Sequence, residues 1–117
     1  MAAKDELGRR GERLAEAHLV ALGYSVVDRN WRCAHGELDL VMRDGDELVF
    51  VEVKTRSSLA YGHPLESITR AKLARLRRLA GLWCAAHPRA GRIRLDAVAV
   101  IAPARSLPTI EHLKAVH

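Results

Sequence analysis

The chain has 117 residues, enough for one domain with a buried core, so residues 1–117 are expected to form a single domain. The sequence has neither an apolar signal region at its start nor a stretch near the roughly 18 residues of a membrane span, which predicts a cytoplasmic protein without membrane contact. Cys33 and Cys84 have no paired spacing, so the sequence suggests neither a zinc knuckle nor a disulfide framework. A net charge of +5 favours an anionic partner.

The basic residues are unevenly distributed. Between Ser67 and Leu95 the chain carries eight Lys or Arg residues and no acidic residue. This asymmetry is typical of a surface that binds the phosphate backbone of a nucleic acid.

The first predicted element is an amphipathic helix from about Asp5 to Leu22, which Gly23 ends. Gly8 and Gly11 each weaken such a helix by about 1 kcal/mol relative to alanine. We therefore expect both glycines to allow close approach of a neighbouring backbone. Glu12 lies on the flank of the apolar stripe, where it either faces solvent or reaches toward a sheet.

A strand is predicted from Tyr24 to Trp31, followed by a loop that ends near Gly36. Trp31 and Arg32 have two possible roles in this region. They contact nucleic acid by stacking and phosphate pairing, or they are a core aromatic and a surface cation.

A β-hairpin follows, with Asp44-Gly45 as its predicted two-residue turn. The predicted pairs, from the turn outward, are Arg43 with Asp46, Val41 with Leu48, Asp39 with Phe50 and Glu37 with Glu52. One face then carries Glu37, Asp39, Glu52 and Lys54. The other face carries Leu38, Leu40, Met42, Val49, Val51 and Val53.

Three carboxylates next to one ammonium would destabilise the folded hairpin if they had no further role, because like charges opposed across strands repel. A divalent cation removes that cost, and oxygen ligands favour Mg²⁺ over Zn²⁺. Lys54 lies about 6 to 7 Å beyond Glu52 along the strand, close enough to act on a bound substrate. The pattern is typical of metal-assisted phosphodiester hydrolysis. The alternative is an ordinary hairpin in which Glu52 pairs with Lys54 in solvent, and a three-residue turn would turn Asp39 away from Glu52.

A second amphipathic helix is predicted from about Thr69 to Ala86, with Ser67 or Thr69 as its N-cap. Arg70, Arg77 and Arg78 point outward. Lys72 falls within the apolar stripe, so its ammonium either extends to water or points toward bound phosphate.

The last long strand is predicted from Arg92 to Ile101, with a short edge strand near Thr109 to His112. Asp96 lies among apolar neighbours and needs a partner, such as an arginine or backbone amides. The order helix, three strands, helix and strand predicts an α/β domain with a mixed central sheet flanked by helices.

These residues resemble the PD-(D/E)XK nuclease superfamily, with Leu38-Asp39 in place of its Pro-Asp and Glu52-Val53-Lys54 as its Glu-x-Lys. The wider pattern is similar to the YraN-like family of small bacterial proteins, whose fold is similar to that of archaeal Holliday-junction resolvases. The matching segments are Gly11-Glu12, Gly23-Tyr24, Asn30-Trp31-Arg32, Gly36-Glu37-Leu38-Asp39-Leu40, Val51-Glu52-Val53-Lys54-Thr55-Arg56 and Arg94-Leu95-Asp96.

The resemblance implies a restriction-endonuclease-like αβββαβ core and assigns roles to individual residues. Asp39 and Glu52 would hold Mg²⁺ or Mn²⁺, with the carbonyl of Val53 as a third ligand. Glu12 would bring a further carboxylate to the metal from the first helix, and Lys54 would position the attacking water. Glu37 and Arg56 would support the site.

The expected function is that of a metal-dependent endonuclease that acts on structured or branched DNA, as a homodimer if it resolves a four-way junction. Its DNA-binding residues would be Arg32, Arg56, Arg70, Lys72, Arg75, Arg77 and Arg78. Two alternatives remain: a nucleic-acid-binding module without hydrolysis, and an adaptor whose basic helix binds an acidic protein.

Overall fold

A computed structural model describes residues 3–60, 62–88 and 91–116. Its elements are, in order, α1 (Ala3–Ala21), β1 (Ser25–Cys33), β2 (Gly36–Asp44), β3 (Glu47–Arg56), a short 3-10 helix (Pro64–Ser67), α2 (Arg70–Ala86), β4 (Arg92–Ile101) and β5 (Thr109–Leu113). The predicted α/β class and order of elements are confirmed, as is the short strand near Thr109. No helix within these ranges is long and apolar enough to cross a membrane.

The five strands form one mixed sheet in the order β1-β2-β3-β4-β5. The pairs β1/β2, β2/β3 and β4/β5 are antiparallel, whereas β3 and β4 are parallel. A parallel pair needs a long crossover connection, and α2 lies in that connection. The architecture is compatible with a restriction-endonuclease-like core.

The two helices cover opposite faces of the sheet. On the face that we call the α1 face, Leu19 packs with Met42 and Val49. On the other, the α2 face, Leu79 packs with Phe50. Because side chains alternate along a strand, each face receives every second residue of β3.

Close approach of a neighbouring element was predicted at both Gly8 and Gly11 in α1, and the structure shows it at Gly11 only. A Cβ at Gly11 would overlap the side chain of Thr55, so this glycine lets α1 lie directly against β3. A Cβ at Gly8 would meet nothing within 4 Å, so the expectation for Gly8 is wrong. At the start of α2, the N-cap is Thr69, whose side chain accepts a hydrogen bond from the Lys72 amide at 3.2 Å.

The predicted hairpin exists, but its turn is Gly45-Asp46 and not Asp44-Gly45. Asp44 lies opposite Glu47, so Val41 faces Phe50 where Leu48 was expected. Gly45 has a φ of +62°, which suits the first position of a two-residue turn. The register therefore moves by two residues, and a shift of two leaves each side chain on the same face.

A second correction concerns the strand before the turn. Leu38 packs on the α2 face, whereas Leu40 packs on the α1 face, although both were expected on one face. The alternation therefore breaks at Asp39. On the neighbouring strand, recorded pairs join Leu38 and Leu40 to residues on either side of Asn30, whose φ of +48° is left-handed. Both strands leave the regular pleat at this point.

Asp96 has the partners that were predicted for it. Its side chain is fully buried and accepts hydrogen bonds from Arg94 Nε at 2.9 Å, His112 Nε2 at 2.7 Å and the amide of Ala115 at 3.1 Å. Burial alone would raise the pKa of Asp96, but these hydrogen bonds outweigh it and lower that pKa. The cluster attaches the chain after β5 to β4.

Candidate functional site

The central feature of the candidate site is the place where β2 and β3 part. The recorded pairs between these strands end at Leu40 and Val51, and the next residues outward are Asp39 and Glu52. There the amide of Val53 donates to Oδ2 of Asp39 at 3.0 Å. A carboxylate thus replaces a backbone carbonyl in the ladder, and a second carboxylate lies beside it.

Asp39 is strongly perturbed by this environment. Burial, followed by the charge of Glu52, raises the pKa of Asp39 to about 8, against the opposing hydrogen bond from Val53. The charges of Glu12 and Glu37 add to the rise. Without a cation, the carboxyl group of Asp39 is therefore largely protonated near neutral pH.

Glu52 lies on the α2 face among cations. Burial raises the pKa of Glu52, while the positive charges of Arg75, Lys72 and Lys54 oppose that rise. The charge of Lys72 acts on Glu52, and the direction of its ammonium, to water or toward bound phosphate, stays a prediction. The predicted association of Lys54 with Glu52 on one strand face is also present.

Glu12 reaches the site from the opposite helix. Its carboxylate accepts a hydrogen bond from Asn30 Nδ2 at 2.9 Å, and its charge raises the pKa of both Asp39 and Glu52. The contact of Gly11 with Thr55 holds this part of α1 against β3. Of the two alternatives that position left open, Glu12 reaches toward the sheet.

Glu37 is not part of the α2-face group, which corrects the expectation of four charges on one face. It lies instead on the α1 face, where its Oε2 accepts from Arg32 Nε at 2.6 Å. The Arg32 side chain is 81% exposed, as expected of a surface cation. Trp31 packs against the α2-face core, so it is a core aromatic in this structure.

The donor set suits a hard cation only in part. Within residues 3–60, 62–88 and 91–116, no three His, Cys, Asp or Glu side chains are arranged to hold a metal ion. Asp39 and Glu52 nevertheless form a partly buried pair of oxygen donors that repel each other, which is the situation a divalent cation stabilises. Such an ion would need further oxygen ligands, for which the Val53 carbonyl and water are candidates.

The other predicted basic residues lie in three places. Arg75 is exposed on α2 and acts on Glu52, as does Lys72. Arg56 is half-buried at the end of β3 and donates to the carbonyl of Thr55 at 3.4 Å. The remaining group lies exposed along α2 and consists of Arg70, Arg77 and Arg78.

Sequence reasoning missed a cleft of about 800 Å³ on the α1 face, which we call the α1 cleft. Its lining residues are Gly8, Arg9, Glu12, Arg13, Glu16, Arg29, Asn30, Arg32, Glu37 and Leu40. Asn30 was also missed, although it belongs to the Asn-Trp-Arg segment that the resemblance singled out. Its contact with Glu12 spans 18 positions of sequence and has no local signal.

Comparisons with known proteins identify the family. A UPF0102 protein of Beutenbergia cavernae is 59% identical over 117 residues, which cover 99% of both chains. A UPF0102 protein of Clavibacter michiganensis is 56% identical over 112 residues, which cover 95% of both chains. Residues 11–100 match the uncharacterised protein family UPF0102, the YraN-like family that the sequence resembles. The chain therefore belongs to UPF0102.

Proposed function

We propose that this protein is a metal-dependent endonuclease that hydrolyses phosphodiester bonds in structured or branched DNA. One observation carries the proposal: Asp39 and Glu52 lie together where β2 and β3 part, and burial with mutual repulsion raises the pKa of Asp39 to about 8. Two carboxylates that repel each other destabilise a fold unless one of them is protonated or a cation is bound between them. Perturbed carboxylates of this kind cluster at functional sites.

Asp39 and Glu52 would hold Mg²⁺ or Mn²⁺, with the Val53 carbonyl and Glu12 as further ligands. When bound, the ion would stabilise negative charge on the phosphoryl group and favour ionisation of the attacking water. Asn30 would keep the carboxylate of Glu12 turned toward the pair through its 2.9 Å hydrogen bond. Glu37 would contribute from a distance through its charge.

Lys54 would position the attacking water and balance developing charge. It is two residues beyond Glu52 on β3, so both side chains project to the α2 face. Its charge already acts on Glu52, which supports placing it within reach of the reacting groups. An ammonium at this position stabilises a phosphorane-like transition state more than the ground state, and that difference accelerates reaction.

The α2 surface would bind the DNA backbone. Lys72 and Arg75 lie next to Glu52, so phosphates held there would adjoin the acid pair. The backbone contacts would continue along Arg70, Arg77 and Arg78, with Arg56 at the end of β3 and Arg32 across the sheet edge. Phosphate contacts carry no base information, so binding would depend on DNA shape and salt. We place this activity in the cytoplasm, with two copies acting together if the substrate is a four-way junction.

A second candidate is a nucleic-acid-binding module that does not cleave. It is favoured by the finding that no three candidate side chains within the described ranges are arranged around one metal position. In that case the basic α2 surface would bind the backbone while Asp39 stays protonated. Metal would then change neither binding nor the integrity of the DNA.

The test is cleavage of labelled junction, flap, duplex and single-stranded DNA, together with RNA, in Mg²⁺, Mn²⁺ or EDTA. Wild type is compared with Glu52→Ala and Lys54→Ala, and with Asp46→Ala as a matched control. Asp46 is an exposed acid in the β2/β3 turn, at the far end of the same hairpin. We expect metal-dependent cutting of branched DNA that both site variants lose and the control retains. Binding of the DNA without any cutting would establish the non-catalytic alternative. Equal cutting by all variants would show that Glu52 and Lys54 do not take part in the mechanism.

A further inference from the structure

The α1 cleft carries two cations that the fold does not use. Arg9 and Arg13 are four residues apart in α1, so they lie one turn apart on the same side of the helix. Both are exposed and both line the cleft. Within residues 6–60, 62–88 and 91–116, neither arginine side chain makes a hydrogen bond or an ion pair.

The other two arginines of the cleft are neutralised. Arg29 Nε lies 2.6 Å from Glu16 Oε1 and its Nη2 lies 3.1 Å from Glu16 Oε2, which is a bidentate pair. Arg32 is paired with Glu37. The lining residues of the cleft therefore include four arginines and three glutamates, a net charge of +1, and Arg9 and Arg13 are the two arginines outside these pairs.

Glu12 and the neighbours of Asp39 on β2 connect the cleft to the acid pair. Glu37 and Leu40 line it, and they lie two residues before and one residue after Asp39 along β2. Glu12, the helix glutamate that acts on Asp39 and Glu52, lines the same cleft. A chain of phosphates passing the acid pair would continue directly into this space.

The size of the cleft favours a narrow occupant. Its volume of about 800 Å³ is within the range of small-molecule pockets, and α1 bounds one side while β1 and β2 bound the other. A duplex needs an open surface of much greater area. A single strand, whose phosphates are separately accessible, fits such a space and pairs with guanidinium groups one helical turn apart.

We propose that the α1 cleft binds the backbone of one single DNA strand that leaves the acid pair, with Arg9 and Arg13 contacting its phosphates. This inference deepens the nuclease proposal above and rests on it for the passage of the strand across the acid pair. The two faces then take different arms of a branched substrate: the basic α2 surface takes duplex, and the α1 cleft takes the unpaired strand. The acid pair, Asp39 and Glu52, lies between the two faces, where β2 and β3 separate.

The test measures binding in EDTA, where nothing is cut, by fluorescence anisotropy over a series of salt concentrations. A short single strand and a duplex of the same sequence are compared for wild type and the Arg9→Ala/Arg13→Ala double variant. The matched control is Arg105→Ala/Lys114→Ala, which removes two exposed cations near β5, at the opposite edge of the sheet from β1. All four positions are exposed, so both double variants are expected to fold.

For the single strand, the slope of log affinity against log salt should fall by about 0.7 per lost phosphate contact, or about 1.4 for the double variant. Duplex affinity should stay within about twofold of wild type, as should both affinities of the control. An unchanged single-strand slope, or an equal loss for duplex, would overturn the assignment of the cleft. A protein that shows this strand-selective loss but cuts no substrate would contradict the nuclease proposal alone.

Discussion

The amide of Val53 donates to the carboxyl oxygen Oδ2 of Asp39 over 3.0 Å, at the point where the ladder between β2 and β3 ends. The hydrogen bond fixes the Asp39 side chain between two strands that no longer pair. It also places this carboxyl group beside Glu52, the residue that precedes Val53. The chemistry proposed for this protein depends on that arrangement.

Stability without metal should fall as pH rises. The pKa of Asp39 is raised from 3.8 to about 8 in the folded state, so between these values the folded chain binds a proton that the unfolded chain has released. Unfolding free energy therefore decreases across this window, and Asp39→Asn should remove most of the decrease. In EDTA at about pH 8, urea denaturation should find Asp39→Asn more stable than wild type by on the order of a few kcal/mol.

The matched control for that measurement is Asp46→Asn, whose carboxylate is exposed in the β2/β3 turn. Its stability should follow wild type at every pH. A flat pH profile for wild type between about pH 4 and 8 would contradict the burial of a repelled carboxyl group at Asp39.

Asn30 should matter more for activity than for stability. Its φ of +48° costs a substituted alanine about 1 kcal/mol, whereas glycine adopts this conformation freely. Both Asn30→Gly and Asn30→Ala delete the hydrogen bond to Glu12, and losses of such supporting contacts reduce metal affinity or rate by about 10- to 100-fold. We expect the glycine variant to melt near wild type yet cleave as poorly as the alanine variant. Full cleavage by Asn30→Gly would show that its amide does not position Glu12.

Gly11 should resist substitution, whereas Gly8 should not. A Cβ at Gly11 meets the Thr55 side chain, so Gly11→Ala should separate α1 from β3 and destabilise by about 1 to 3 kcal/mol. Gly8→Ala meets nothing and should stabilise the helix by about 0.5 to 1 kcal/mol. Chemical denaturation of the two variants measures both effects. Equal effects of the two substitutions would contradict the close packing of α1 on β3.

The buried cluster around Asp96 should dominate stability at the far side of the sheet. Asp96→Ala leaves His112 and the Ala115 amide without their buried acceptor, whereas Arg94 keeps Asp44 and Glu47, so the cost should be about 1 to 3 kcal/mol. Asp46→Ala breaks the exposed ion pair with Arg92 and should cost less than about 1 kcal/mol. Because the pKa of Asp96 is lowered, its contribution is present above the ordinary pKa of an aspartate and is lost as pH falls below it. Similar losses for the two variants would contradict the buried role of Asp96.

The helices and strands could be predicted from the sequence because their apolar residues repeat with a characteristic spacing. Sequence patterns found the hairpin but misplaced its turn by one residue, since both Asp44-Gly45 and Gly45-Asp46 suit a two-residue loop. Asp39 and Glu52 stayed together because a register shift of two residues preserves faces, whereas Glu37 moved to the other face. The departure of Leu38 to the other face has no local signal, since it depends on how β1 bends at Asn30.

Contacts between elements that are distant in sequence could not be predicted from sequence patterns. The approach of Lys72 and Arg75 to Glu52 depends on where α2 crosses the sheet, and the α1 cleft exists only once α1 lies against β1 and β2. Glu12 was assigned to the site by resemblance, since its position in the helix alone favoured solvent over the sheet.

The central claim, that Asp39 and Glu52 form a divalent-metal site, is tested most directly by titrating the protein with Mn²⁺ and counting bound ions by electron paramagnetic resonance. Wild type should bind Mn²⁺ at one site from which Mg²⁺ displaces it, and Asp46→Asn should behave identically. Asp39→Asn and Glu52→Gln should each abolish that binding while the protein remains folded. Undiminished Mn²⁺ binding in both site variants, or no binding by wild type, would contradict the account.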